Sequence, residues 1–143
     1  MRLDVSVNLL AMQALDKGKI TVFGGNQVRP NIHIEDITDA YIHLLNNPKH
    51  KGIFNVGFEN ISIIDIAKLI KNSIDVDIEI TESNDPRSYR LDSSKFLLTG
   101  FKPKKTVAHA VKEIIDAYHD GKIKNKEEFY NLKWMQRKGY ALN

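Results

Sequence analysis

The hydrophobic pattern opens with a dense block. In DVSVNLLAMQALDK (residues 4–17) apolar side chains recur at helical intervals and cover more than one face, which predicts a helix buried on both sides. Gly18 supplies a natural stop. ITVF (20–23) predicts a short strand, broken by GGNQ. NIHI (31–34) alternates and predicts a second strand, with His33 and Glu35 on one side by the period of two. Asp36 is placed to cap the helix that follows, with Asp39 in its first turn, and that helix is expected to run to about Asn46.

GIFNVG (52–57) predicts a further strand, bracketed by glycines. Ser62 and Asp65 form an S-x-x-D capping box before a helix that turns Ile66, Leu69 and Ile70 inward. VDIEI (76–80) is another alternating strand, and TESNDPRSYRLDSSK (81–95) is polar and turn-rich. SKFLLTGF reads as a short helix ending near Gly100, and Pro103 prevents its regular continuation. Thr106 caps a last amphipathic helix with Val107, Ala110, Val111, Ile114 and Ile115 at helical spacing. Short strands alternating with helices predict an α/β fold with some parallel pairing.

Composition narrows the setting. At 143 residues and 42% hydrophobic content the chain suits one ordinary domain, small for a complete cofactor-dependent enzyme. The absence of cysteine excludes disulfide and thiolate chemistry and suits a reducing, cytoplasmic setting. MRLDVSVNLL lacks the layout of a secretory signal, and no apolar run approaches membrane-spanning length, so no membrane partner is expected.

Charge is uneven. Residues 1–121 carry 15 basic and 16 acidic side chains, whereas the remainder carries six basic against two acidic, so the net +3 is a property of the tail. The tail also holds Phe129, Tyr130, Trp134 and Tyr140. Nucleic-acid stacking is the weaker reading of this region. An amphipathic helix with a solvated basic side is the stronger one. The division predicted is 1–120 as the main region and 121–143 as a basic, aromatic, helical extension.

The candidate chemistry lies in two polar stretches. In VFGGNQVRPNIHIED (22–36) the glycines follow a strand but precede no helix, so Gly24–Gly25 predicts a turn rather than a phosphate loop. Arg29 either grips a phosphate or pairs with Glu35 or Asp36 at the surface. In NDPRSYRLDSSK (84–95), Arg87 and Arg90 are candidates for a diphosphate, with Asp85 orienting one of them and Tyr89 beside them; alternatively these side chains cap the loop's own turns. The five histidines show no metal-ligand spacing, and neither Tyr41 nor Tyr89 has a lysine four residues on, so no metal ligand and no catalytic residue is assigned.

Taken in order, four stretches resemble the C-terminal half of extended short-chain dehydrogenase/reductases of the NAD-dependent epimerase/dehydratase family, which act on nucleotide sugars. They are RLDVSVNLL (2–10), ITVFGGNQVRPNIHIEDITDAY (20–41), GIFNVG with SIIDIAKLI, and NDPRSYRLDSSKFLLTGFKPKKTVAHAVKEII (84–115). The resemblance covers about residues 1–118. It implies a partial extended fold: the C-terminal Rossmann-edge elements plus the small substrate-binding domain, without the dinucleotide-binding half. It implies that Phe23 sits against the nucleotide base, that Arg29 and Arg87 clamp the diphosphate, that Asn8 contacts the sugar or phosphate, and that Asp36 is architectural.

The half of the family that supplies its G-x-x-G-x-x-G loop and its catalytic Y-x-x-x-K pair is not represented in these stretches. The expectation is therefore a nucleotide-sugar-binding portion that binds no cofactor alone. NAD or NADP would belong to the complete enzyme, of which this chain would be a fragment, a truncated gene product or one chain of a split enzyme whose Rossmann-domain partner chain binds the dinucleotide. A non-catalytic interaction module, self-association included, is the alternative.

Overall fold

A computed structural model describes residues 2–140. Helix α1 (Ser6–Lys17) is closed by Gly18, whose φ of 63° is the left-handed conformation that lets its amide reach the Ala14 carbonyl. The chain turns at once into β1 (Lys19–Phe23). Its order continues through β2 (Val28–Asn31), α2 (Ile34–Asn46), β3 (Glu59–Ser62), α3 (Ile63–Lys71), β4 (Asp77–Thr81), α4 (Ser94–Leu97) and α5 (Val107–His119). A 3₁₀ turn (Glu127–Phe129) and α6 (Asn131–Arg137) follow.

The strands form two separate pairs. β1 and β4 run parallel, in register from Lys19 opposite Asp77 to Phe23 opposite Thr81. β2 and β3 run antiparallel, from Val28 opposite Ser62 to Asn31 opposite Glu59. The parallel pairing expected of an α/β chain is present, and the whole β2–α3 segment serves as its crossover.

Two apolar centres hold these elements. The larger joins α1, β1, α3 and α5 through residues such as Leu10, Ile20, Val22, Ile66, Ile70 and Val111. The smaller is aromatic: Phe96 is fully buried against Phe101 at a centroid separation of 4.9 Å, with Phe54, Phe58 and His43 around it and Ala40 of α2 beneath. Asp36 links α2 to the approach to α5. Its carboxylate is 1% exposed and accepts the backbone amides of Lys104 and Lys105, each at 3.0 Å.

Several expectations are corrected. NIHI is not a strand: β2 ends at Asn31, and Ile34 already begins α2. The cap of that helix is His33 rather than Asp36, with His33 Nδ1 accepting the Glu35 amide at 3.2 Å. His33 and Glu35 therefore do not share a strand face. Ser62 caps α3 by accepting the Asp65 amide, but the Asp65 carboxylate takes the Ser62 hydroxyl at 2.6 Å instead of completing a reciprocal box. The reciprocal box occurs at α5, where Thr106 and His109 satisfy each other's amides.

GIFNVG forms no ladder with any described residue. Exposure nevertheless alternates strand-fashion from Ile53 to Val56, and the backbone amides of residues 53–56 find no partner among the described residues. This is an extended edge without a neighbour. Nearby in sequence, α2 turns Ile34, Tyr41 and Leu45 outward at 72%, 68% and 79% exposure. Spacings of seven and four residues put them on one stripe.

In the described part of the tail, only the 3₁₀ turn and α6 are helical, and none of α6 is buried. Its attachment is through the 3₁₀ turn, where the Phe129 carbonyl accepts the amide of the fully buried Leu3 at 2.7 Å. Two of its six cations are met by its own carboxylates, Lys126 by Glu128 and Arg137 by Glu127.

Candidate functional site

The site forms where the end of β1 meets the loop after β4. The turn at Gly24–Gly25 is fully engaged internally: the Gly24 amide donates to the Thr81 carbonyl at 2.8 Å, and the Gly25 amide donates to Gln27 Oε1 at 2.7 Å. No amide is left aimed at an anion, so these glycines do not fit the phosphate cradle of a dinucleotide. Their role is close approach. At Gly25, with φ of 107°, a Cβ would come within 3.1 Å of Ile64 Cβ. At Gly24 it would meet Ser83 Cβ at 3.1 Å, so the turn carrying Phe23 packs on the start of the loop that carries Asp85 and Arg87.

Arg29 leaves β2 toward that loop. Its guanidinium donates to the Val28 and Arg87 carbonyls, reaches Asp85 Oδ2 at 3.4 Å, and lies 5.2 Å from the Tyr89 ring centroid. The alternative pairing with Glu35 or Asp36 does not occur. Arg87 grips the same carboxylate as a fork, with Nε to Oδ1 at 2.7 Å and Nη2 to Oδ2 at 2.8 Å. The Arg87 side-chain hydrogen bonds, joined by its backbone amide on Oδ1, hold the Asp85 carboxyl down at about 2, well below the usual carboxylate range. Asp85 in turn raises the Arg87 guanidinium.

Two cations and the exposed Tyr89 thus border one surface, with the 61%-exposed Phe23 at the neighbouring turn. Chemically it can pair a delocalised anion bidentately and lay a flat ring against an aromatic face. Arg90 is exposed and joins no ion pair among the described residues. Asn8 stands apart. Its amide donates to the Arg2 carbonyl at 2.7 Å, and it lines a separate cavity of about 490 Å³ with Pro30, His33 and α5 residues.

That cavity borders a cluster which the spacing of histidines did not reveal. His33, 7% exposed, bonds Glu113 at 3.0 Å across 80 residues of sequence. Glu35 lies close enough for the three to share a cation, but the Lys105 ammonium already sits 2.8 Å from Glu113 and 3.3 Å from Glu35. Lys105 above all, then His33, lowers the Glu113 carboxyl. Only the folded chain brings Glu113 here, so no local motif could have shown it.

Residues 5–57, from the start of α1 to the end of the unpaired edge, match the NAD dependent epimerase/dehydratase family. This part of the chain is homologous to that family. The fold extends the likeness. The chain resembles dTDP-glucose 4,6-dehydratase of Bacillus anthracis, in complex with NAD, at 22% identity and a TM-score of 0.70, covering 93% of this chain and 43% of that one. It resembles UDP-N-acetylglucosamine 4-epimerase of Bacillus cereus at 25% identity and 0.66, covering 78% and 42%. A monomeric L-threonine 3-dehydrogenase from a metagenome matches at 15% identity and 0.68, covering 82% and 42%. The chain spans less than half the length of each of these structures. The last of them is not named for a sugar substrate, so the fold alone does not select one.

Proposed function

We propose that this chain is the nucleotide-sugar-binding portion of an NAD-dependent epimerase/dehydratase. Arg29 and Arg87 hold the diphosphate, and Phe23 with Tyr89 flanks the base or sugar. The observation carrying this reading is the convergence of both guanidiniums on one carboxylate, Asp85, at an aromatic-bordered surface. Asn8 belongs to the sugar end in this reading, Asp85 and Arg90 support the clamp, and Asp36 keeps the segment before α5 in place. In this reading the acid/base pair for the sugar chemistry is not supplied by this chain. The dinucleotide and the tyrosine–lysine pair come from an α/β unit that docks beside this chain, and that unit decides between epimerisation, dehydration and reduction.

Calorimetric titration of UDP-, GDP-, CDP- and dTDP-sugars against the wild type and an Arg29→Ala/Arg87→Ala variant tests the clamp. Wild-type binding that the double substitution abolishes is the expected result. Equal binding by the two proteins, or none by either, refutes it.

The unpaired edge at 53–56 and the outward stripe of α2 favour a protein partner as well, and they keep alive a second reading in which the chain is an interaction module without a sugar ligand. Sedimentation over a wide concentration range separates the cases. A monomer that binds nucleotide sugars supports the first reading. Concentration-dependent association without sugar binding supports the second.

A further inference from the structure

We infer that Asp85 is a built-in competitor for the anion site, occupying between Arg29 and Arg87 the position that a ligand's phosphate must take. The inference rests on the diphosphate reading above and adds to it a residue that opposes binding.

The geometry is that of a phosphate surrogate. Asp85 presents both oxygens to Arg87 in the two-pronged arrangement that guanidiniums also adopt with phosphate, and offers Oδ2 to Arg29 at 3.4 Å. The same carboxylate also holds its own turn, accepting the Arg87 amide at 3.0 Å, while the Asp85 amide donates to Ser83 Oγ at 3.1 Å. The turn and the competing charge are thus separable. An asparagine keeps a carbonyl oxygen for the Arg87 amide and removes the anion. Because the arginines hold Asp85 ionised far below neutrality, ordinary pH changes do not release them. Release requires an anion able to outcompete one carboxylate on two guanidiniums, and a doubly charged diphosphate meets that requirement better than a singly charged group.

The test is calorimetric titration of inorganic pyrophosphate and of UDP at low ionic strength, into wild type, Asp85→Asn and Arg29→Ala/Arg87→Ala. Asp85→Asn is expected to tighten both ligands by about two- to fivefold, the range open to a partly exposed ion pair. Salt should erase the gain by screening. A cooperative thermal melt and an unchanged circular dichroism spectrum show that the fold survives the substitution.

Weaker binding by Asp85→Asn would mean that the carboxylate orients the arginines, and unchanged binding that it does not compete; either overturns the inference. If the double-alanine variant loses pyrophosphate while Asp85→Asn matches wild type, the clamp stands and only the competitor falls. If the double-alanine variant binds as well as wild type, or no variant binds, the clamp and the competitor fail together.

Discussion

Replacing Asp36 with alanine removes the acceptor of two backbone amides, those of Lys104 and Lys105, at a carboxylate that is 1% exposed. Hydrogen bonds to a charged group contribute about 1.5–3 kcal/mol each. The amides lie on a partly exposed segment that water can reach once the carboxylate is gone, so the expected loss is about 2–4 kcal/mol for the pair. Alanine's higher helix propensity returns only a few tenths of that within α2. Against an ordinary domain stability of about 5–15 kcal/mol this is a large fraction. Asp36→Asn keeps one acceptor oxygen but turns an amide group toward donors, and should cost less than alanine. Urea unfolding followed by far-ultraviolet circular dichroism gives both values, with the slope unchanged if two-state behaviour holds. A loss below about 1 kcal/mol for Asp36→Ala would refute the reasoning, since neither amide could then depend on the carboxylate.

Phe96→Ala empties the centre of the aromatic cluster, where the ring is fully buried, and should destabilise by about 3–5 kcal/mol in the same assay. Gly25→Ala imposes a side chain at φ of 107° and presses a Cβ to 3.1 Å from Ile64, so a loss of about 1–3 kcal/mol is expected by thermal or urea melting. The Asp85 carboxyl, followed by carbon-detected NMR, should titrate near 2. A carboxyl depressed in the folded state stabilises the fold above its unfolded value and loses that contribution as pH falls toward 2, so Asp85→Asn should flatten the acid limb of the pH–stability curve. Hydrogen exchange should find the amides of 53–56 fast in the chain alone.

Elements closed by local chemistry were legible in the sequence. Gly18 ends α1 as its position implies, and Thr106 opens α5. Ile20 and Val22 alternate inward on β1 as a strand with one face on the core should. NIHI misled because Ile32, His33 and Ile34 alternate in polarity, while the His33 ring is spent on the Glu35 amide and on Glu113 and so becomes a cap. GIFNVG carries the alternation of a strand, but alternation specifies an extended backbone and says nothing of a neighbour. The site divides the same way. Asp85 and Arg87 are two residues apart, so their contact lay within reach of sequence reasoning, whereas the meeting of Arg29 with Asp85 requires β2 and the loop after β4 to fold side by side.

The open edge at 53–56 also bears on solubility. A bare extended edge that carries the exposed Ile53 is a template for indiscriminate strand addition. Lys49 and Lys51 precede it, and the Lys95 ammonium sits on the Ile53 carbonyl at 2.8 Å, blocking one acceptor with a positive charge. Two such edges brought together would juxtapose these cations. Gatekeeping of this kind weakens as ions screen it, so precipitation should rise with added salt rather than fall, the reverse of what attraction between opposite charges would produce.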